Sequence, residues 1–217
     1  MSKINIHSYV VSDLINQYTN LGTGAEIGVY RAETSSCILK NTNVKLLYMI
    51  DQYQPNYDVN QETYKTKNNS TEYLNPSKGD PDKDYKIVKN KFVTKYPNRY
   101  KLIRESSKNA SQKINTELDF IFIDANHTYE YVLEDMYLWI PKVKSGGLIM
   151  GHDWWSKFPG VEKAVTEYAS IHSFYLPDNP SPKLKLIKKI EYCLAPTKNP
   201  CVLKSWPEGH VWWGIKK

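Results

Sequence analysis

The stretch that most constrains this chain runs from Leu118 to Trp155 and reads LDFIFIDANHTYEYVLEDMYLWIPKVKSGGLIMGHDWW. It holds two short apolar runs, Phe120–Ile123 and Leu148–Met150, and each stops at polar residues. The first stops at Asp124, with His127 just beyond it; the second stops at His152 and Asp153. Between them Val132, Met136 and Trp139 or Ile140 recur at spacings of three and four, the period of a helix with one buried face. Continuous apolar runs flanking a helix form a βαβ unit whose parallel sheet is covered on both faces. Ligands of such sheets bind beyond the carboxyl ends of the strands. Asp124, His127, His152 and Asp153 therefore mark a site.

The rest of the chain extends the same alternation. Val10, Leu14 and Tyr18 predict an opening helix, Ala25–Val29 a strand with an embedded acid, and Thr34–Lys40 a helix behind a Ser/Thr cap. Lys45–Ile50 is the next strand and ends at Asp51. Residues 52–80 change character, being rich in Tyr, Asn, Gln, Lys and Thr. A loop of that length in a compact domain is functional or disordered, and its tyrosines (Tyr53, Tyr57, Tyr64, Tyr73) favour a substrate lid rather than a floppy insertion. Asp80-Pro81 is a cap followed by an N1 proline, with Tyr85, Val88 and Phe92 as the buried stripe of the helix they start. Tyr100–Arg104 is a third strand, leading into Glu105-Ser106-Ser107. After Trp155, Pro159-Gly160 breaks the chain and Val161, Ala164, Val165 and Tyr168 form another helix face. Leu184–Leu194 and Val211–Ile215 read as the last two strands. Seven strands, five alternating with helices and the last two adjacent, make an α/β sandwich with an antiparallel edge.

At 217 residues the chain suits one domain spanning 1–217 with a sizeable core. No apolar run approaches the roughly 18 residues of a membrane helix. The start, MSKINIHSYVVSD, lacks the pattern of a secretory signal, so a soluble, cytoplasmic protein is expected. Three scattered cysteines, Cys37, Cys193 and Cys201, fit a reduced compartment and offer no CxxC metal spacing. The net charge of +6 is spread over many lysines, which reads as a solvated surface rather than a nucleic-acid face.

The first strand–helix turn carries Glu26, Gly28 and the hydroxyls of Thr34, Ser35 and Ser36. Gly28 permits close approach of a ligand, and a helix N-terminus favours a carboxylate or phosphate. The turn is not GxGxxG, because Ala32 stands where another glycine would be. Asp51 ends the next strand, where an acid commonly takes a pair of ribose hydroxyls; a lone strand-end Asp is also often a cap or turn former.

The succession EIGVYRAETS, a strand ending in Asp51, RESS, FIDANHTYE and SGGLIMGHDWW resembles the class I S-adenosylmethionine-dependent methyltransferases. It is most similar to the small-molecule and sugar O-methyltransferases, including the metal-dependent macrolide-sugar enzymes, over roughly residues 22–168, with VWWGIKK matching the usual last strand. The resemblance implies a Rossmann-like three-layer sandwich with a seven-stranded, mostly parallel sheet and an antiparallel last strand. It also implies S-adenosylmethionine as donor, with Glu26 and Gly28 lining the methionine moiety and Tyr30 and Thr34 near its carboxylate. Asp51 would hold the ribose hydroxyls, Ser106 would sit by the adenine, and Asp124 would close the donor site. In the metal-dependent sugar enzymes the fourth strand ends in Asp-x-x-His, matched here by Asp124 and His127, which implies a metal ligand and a general base. The fifth strand there ends in two acids that also bind the metal; this chain has His152 and Asp153.

The chemistry agrees with those residue types. An aliphatic hydroxyl is nearly as weak an acid as water, whose pKa is about 15.7, so a divalent ion and an imidazole base both help to activate it. Asp124 and Asp153 are hard oxygen ligands suited to Mg²⁺, whereas His152 tilts the set toward Mn²⁺. Asp124 could instead cap the following helix, His127 could contact adenine or substrate, and Trp154 and Trp155 could line a sugar or simply pack. The expected activity is methylation of a sugar or glycan hydroxyl. A phenolic acceptor is the nearest alternative, and an RNA methyltransferase or nucleic-acid-binding protein a more distant one.

Overall fold

The computed structural model of the chain describes residues 6–54, 63–65, 71–73, 80–155, 157–172 and 210–216. Helix α1 (Ile6–Tyr18) precedes strand β1 (Thr23–Ile27), helix α2 (Glu33–Asn41) and strand β2 (Leu46–Asp51). Two short strands follow, β3 (Thr63–Lys65) and β4 (Thr71–Tyr73), paired as an antiparallel ribbon inside the expected lid. Then come α3 (Pro81–Val93), β5 (Tyr100–Arg104), α4 (Ser107–Lys113), β6 (Leu118–Ile123), α5 (Tyr129–Trp139), β7 (Val143–Gly151), α6 (Pro159–Ile171) and β8 (Trp212–Ile215). Residues 52–54 and 80 of the expected lid are described too, with Tyr53 buried in the core, and the remainder of the lid lies outside the described residues.

The main sheet has the order β5-β2-β1-β6-β7-β8, parallel except for β8, which runs antiparallel to β7. The expected seven strands are therefore corrected to six among the described residues. The sequence run Leu184–Leu194, expected to supply the other strand, lies outside them. Strand order reverses between β1 and β6, and a crevice opens beyond the carboxyl ends of the strands at such a point. The apolar strands have both faces covered, as their continuous runs require. Ile121 and Ile123 point into a core with Met136 and Trp139 of α5 and Val161 and Val165 of α6. Phe120 and Phe122, one residue out of phase, point into a second core with Val11 and Ile15 of α1, Ile38 of α2 and Phe92 of α3. The result is three layers, with α1–α3 on one face and α4–α6 on the other. No helix among the described residues is long and apolar enough to cross a membrane.

Local signals set several element starts. Asp80 caps α3 by accepting from the Asp82 and Lys83 amides at 3.0 and 3.2 Å, with Pro81 as first helical residue. Pro159 likewise begins α6, so the expected break is a helix start. Helix α2 differs. Its cap is Ala32 in the left-handed region (φ 56°), with no side-chain capping bond, rather than a Ser or Thr. The amides of that turn are served from elsewhere: Val29 and Tyr30 donate to Asp51 Oδ2 at 2.9 and 2.8 Å, and Ala32 donates to the Val29 carbonyl. The Asp51 carboxylate brought in by β2 thus holds the turn that leads into α2, while the helix itself starts without a side-chain cap.

Candidate functional site at the ends of the central strands

The ladder continues one step past β6 and β7, since the Asp124 amide donates to the Ile27 carbonyl and the His152 amide to the Ile123 carbonyl. Both side chains therefore leave the sheet at the same level. After Asp124 the chain turns over Asn126, whose side-chain oxygen accepts from the Thr128 amide at 2.8 Å. That turn points His127 back across the strand ends. After His152 the backbone enters the left-handed region at Asp153 (φ 57°). Asp124, His152 and Asp153 offer ligand atoms that all lie within 4.8 Å of one another. His152 Nδ1 stands 3.4 Å from Asp124 Oδ1 and 3.1 Å from Asp153 Oδ2, and His127 Nε2 stands 2.7 Å from Asp153 Oδ2. Asp124 Oδ1 is farther from His127 Nε2, at 3.9 Å.

Electrostatics follow from that crowding. Burial disfavours the imidazolium of His152, but the Asp124 charge, hydrogen bonds to both carboxylates and the Asp153 charge outweigh it and push His152 up to about 10. Burial likewise opposes ionisation of Asp124 and Asp153. The His152 charge and hydrogen bonds from His127 and His152 win, holding both below the usual carboxylate range. Two half-buried anions are thus kept charged by a cation placed between them, and a divalent ion bound there would take the place of the His152 proton.

The β1–α2 turn lies beside this cluster. Gly28 has φ 89°, and a Cβ there would fall 2.1 Å from the Asp124 carbonyl oxygen. The close approach that demands glycine is therefore made by the chain's own β6 end, not by a ligand alone. Glu26 is buried with its carboxylate accepting from the Ser35 hydroxyl. Burial, opposed by the Ser35 bond and aided by the Asp124 and Asp51 charges, pushes Glu26 up to about 8. Asp51 Oδ1 accepts from the Tyr53 amide at 2.9 Å, so both of its oxygens hold backbone. Tyr30 is exposed, and its carbonyl accepts from the Tyr53 hydroxyl at 2.8 Å. The Thr34 hydroxyl is buried against α1, 3.1 Å from His7 Nε2 and 3.0 Å from Ser8 Oγ. Ser106 caps α4, its hydroxyl accepting from the Asn109 amide at 3.3 Å.

The family model for the methyltransferase domain matches residues 25–154, from β1 through the polar ends of β6 and β7. The chain belongs to this methyltransferase family. Comparison with curated protein sequences gives no significant match. Among solved structures, a proposed caffeoyl-CoA O-methyltransferase from Staphylococcus aureus superposes with a TM-score of 0.62 at 12% identity, covering 98% of this chain and 84% of that one. The O-methyltransferase NovP superposes with a TM-score of 0.58 at 18% identity, over 98% and 78% of the two chains. An O-methyltransferase from Bacillus cereus in complex with SAH gives 0.54 at 11% identity, over 80% and 73%. At these identities the likeness is one of fold.

In this methyltransferase the structure brings together Asp124, His127, His152 and Asp153, with Gly28 against them. Thr34 in the first turn of α2 and Asp51 at the end of β2 flank the β1–α2 turn, their polar atoms engaged by protein. Trp154 is buried in the core on the α4–α6 face, so packing accounts for it. Trp155 stacks on His210 with ring centroids 4.5 Å apart and planes 7° from parallel. Two further residues join the cluster without any motif to announce them. Phe158, just before α6, packs its ring 4.5 Å from that of His127. Gly160 allows this, because a Cβ there would meet the Tyr129 nitrogen at 2.6 Å and the His127 carbonyl at 2.7 Å. His7 of α1 places its ring 4.1 Å from that of His152. Burial first, and the nearby His152 charge second, push His7 down to about 4. In the sequence it is an isolated histidine, outside the stretch that the family model matches.

Proposed function

We propose that this methyltransferase transfers a methyl group from S-adenosylmethionine to a hydroxyl oxygen of a sugar or glycan, with a divalent ion and His127 activating the acceptor. The observation that carries the reading is the convergence of Asp124, His152 and Asp153 within 4.8 Å, with His127 Nε2 2.7 Å from Asp153, at the carboxyl ends of the central strands. The donor set fits an ion, with two carboxylate oxygens and one imidazole nitrogen within 4.8 Å of one another. A bound ion would lower the cost of deprotonating an aliphatic hydroxyl. The mixed oxygen–nitrogen set favours Mn²⁺ over Mg²⁺ relative to an all-carboxylate set.

The protein's own groups divide the work. His127 accepts the hydroxyl proton at an imidazole nitrogen, and Asp153 orients the ring and steadies the imidazolium that forms. Asp124 and Asp153 supply the negative field that retains a cation, and His152 completes the set. Glu26, Gly28, Tyr30, Thr34, Asp51 and Ser106 are assigned to the donor: Asp51 to the ribose hydroxyls, Ser106 to the adenine side, and the β1–α2 turn to the methionine end. Methyl transfer from a sulfonium is an in-line displacement, so alignment of the acceptor oxygen by both halves contributes directly to rate.

The close His127–Asp153 pair also supports a phenolic acceptor, because a phenol of pKa about 10 can be activated by an oriented imidazole alone. An acceptor screen with and without EDTA, on wild type, His127→Ala and Asp124→Ala, tests the assignment. Sugar methylation that chelation and either substitution abolish is the expected result. Activity that survives chelation and both substitutions would overturn the ion and base roles.

A further inference from the structure

The proposed ion-binding histidine is held in an unusual way. Histidines that ligate metals ordinarily donate their second ring nitrogen to a carboxylate, a carbonyl or a water, and that bond fixes the ring. His152 turns its Nδ1 edge to Asp124 and Asp153. Its Nε2 is buried and has no hydrogen-bond partner among the described residues. Among the described residues none supplies an orienting bond on that side.

What lies against the ring is His7. The two imidazoles are 4.1 Å apart between centroids and tilted by 43°, which is face contact rather than a hydrogen bond. The His7 ring is itself anchored, since its Nε2 lies 3.1 Å from the Thr34 hydroxyl, which in turn lies 3.0 Å from Ser8 Oγ. Helix α1 is fastened by its own buried face as well, through Val11, Leu14 and Ile15 in the core shared with α2 and β2. A rigid helix therefore presents a pinned flat ring to the ring of His152. His7 lies before the stretch matched by the family model, so its contact with His152 is a property of this chain's own first helix.

We propose that His7 is a positioning residue for the ion site, its ring face holding His152 with Nδ1 turned toward Asp124 and Asp153. The inference rests on the ion-binding reading above. Two substitutions separate the ring from its anchor. His7→Gln retains an amide that can reach Thr34 but removes the flat ring; His7→Phe retains the ring and loses the bond to Thr34. Mn²⁺ binding to the full chain is measured by titration calorimetry, alongside thermal melting without the ion to register any loss of fold. The expected result is that His7→Gln binds Mn²⁺ about tenfold more weakly, the cost typical of losing an outer orienting partner, while His7→Phe stays near wild type. Mn²⁺ affinity unchanged in His7→Gln overturns the proposal, as does an equal loss in both variants. A wild-type chain that binds no Mn²⁺ overturns the ion-binding reading itself and this inference with it, so the two failures give different results.

Discussion

His127 Nε2 lies 2.7 Å from Asp153 Oδ2, although the two residues follow different strands, β6 and β7. An acid that orients an imidazole is what a general base requires. His127→Ala is expected to lower kcat by about 10²- to 10⁴-fold while S-adenosylmethionine binds calorimetrically as in wild type. Loss of donor binding in this variant, with kcat at saturating donor preserved, would refute the base role.

His152 stands where an all-oxygen ion site would carry a carboxylate. His152→Asp is expected to shift the ratio of Mg²⁺ to Mn²⁺ affinity toward Mg²⁺ by roughly tenfold. Separate titrations with each ion measure it. A ratio unchanged by the substitution means that His152 is no ligand.

Gly28→Ala forces a side chain into φ 89° and sets its Cβ 2.1 Å from the Asp124 carbonyl. Neither partner is a flexible side-chain tip, so backbone must move. A loss of roughly 2–4 kcal/mol in unfolding free energy is expected from strain and overpacking together, with ion affinity falling because Asp124 is displaced. Urea unfolding and ion titration of the same variant check both. A stable variant that binds the ion normally would show that the β1 and β6 ends are not rigidly coupled.

Asp135 on α5 is buried and accepts from the Ser107 hydroxyl. Burial, opposed by that bond, pushes it from 3.8 up to about 7. Between those values the unfolded chain releases a proton that the folded chain keeps, so stability from this residue is full below about pH 4 and is lost as pH rises toward 7. Asp135→Asn removes the titration and keeps an oxygen to accept from Ser107. Its stability relative to wild type should improve from pH 4.5 to pH 8, by at most about 4 kcal/mol. Denaturant melts at the two pH values decide it, and a relative stability independent of pH would contradict the buried, neutral carboxyl.

Much of this is legible in the amino-acid sequence. Phe120–Ile123 and Leu148–Met150 are continuous and apolar because their strands are covered on both faces. They stop where the sheet stops, and Asp124 and Asp153 stand at that edge. Asp80-Pro81 announced its helix because a cap acts within three residues. The start of α2 departs from the expected Ser/Thr cap because the turn before it is held by Asp51 through the Val29 and Tyr30 amides, and only strand pairing brings Asp51 near. The Thr34 hydroxyl also meets His7 and Ser8, which no local motif in the sequence brings to it. Gly28 looked like an opening for a ligand and is also the seat of the Asp124 carbonyl.

The alternation of elements and the polar residues that end the central strands can be read from short windows of the chain, because hydrophobic periodicity and capping are local. Tertiary structure alone decided which of those residues face one another: His127 with Asp153, His7 with His152, Asp51 with the β1–α2 turn. Those pairings depend on strand order and on which face each helix covers, and neither quantity is written in any short window of the chain.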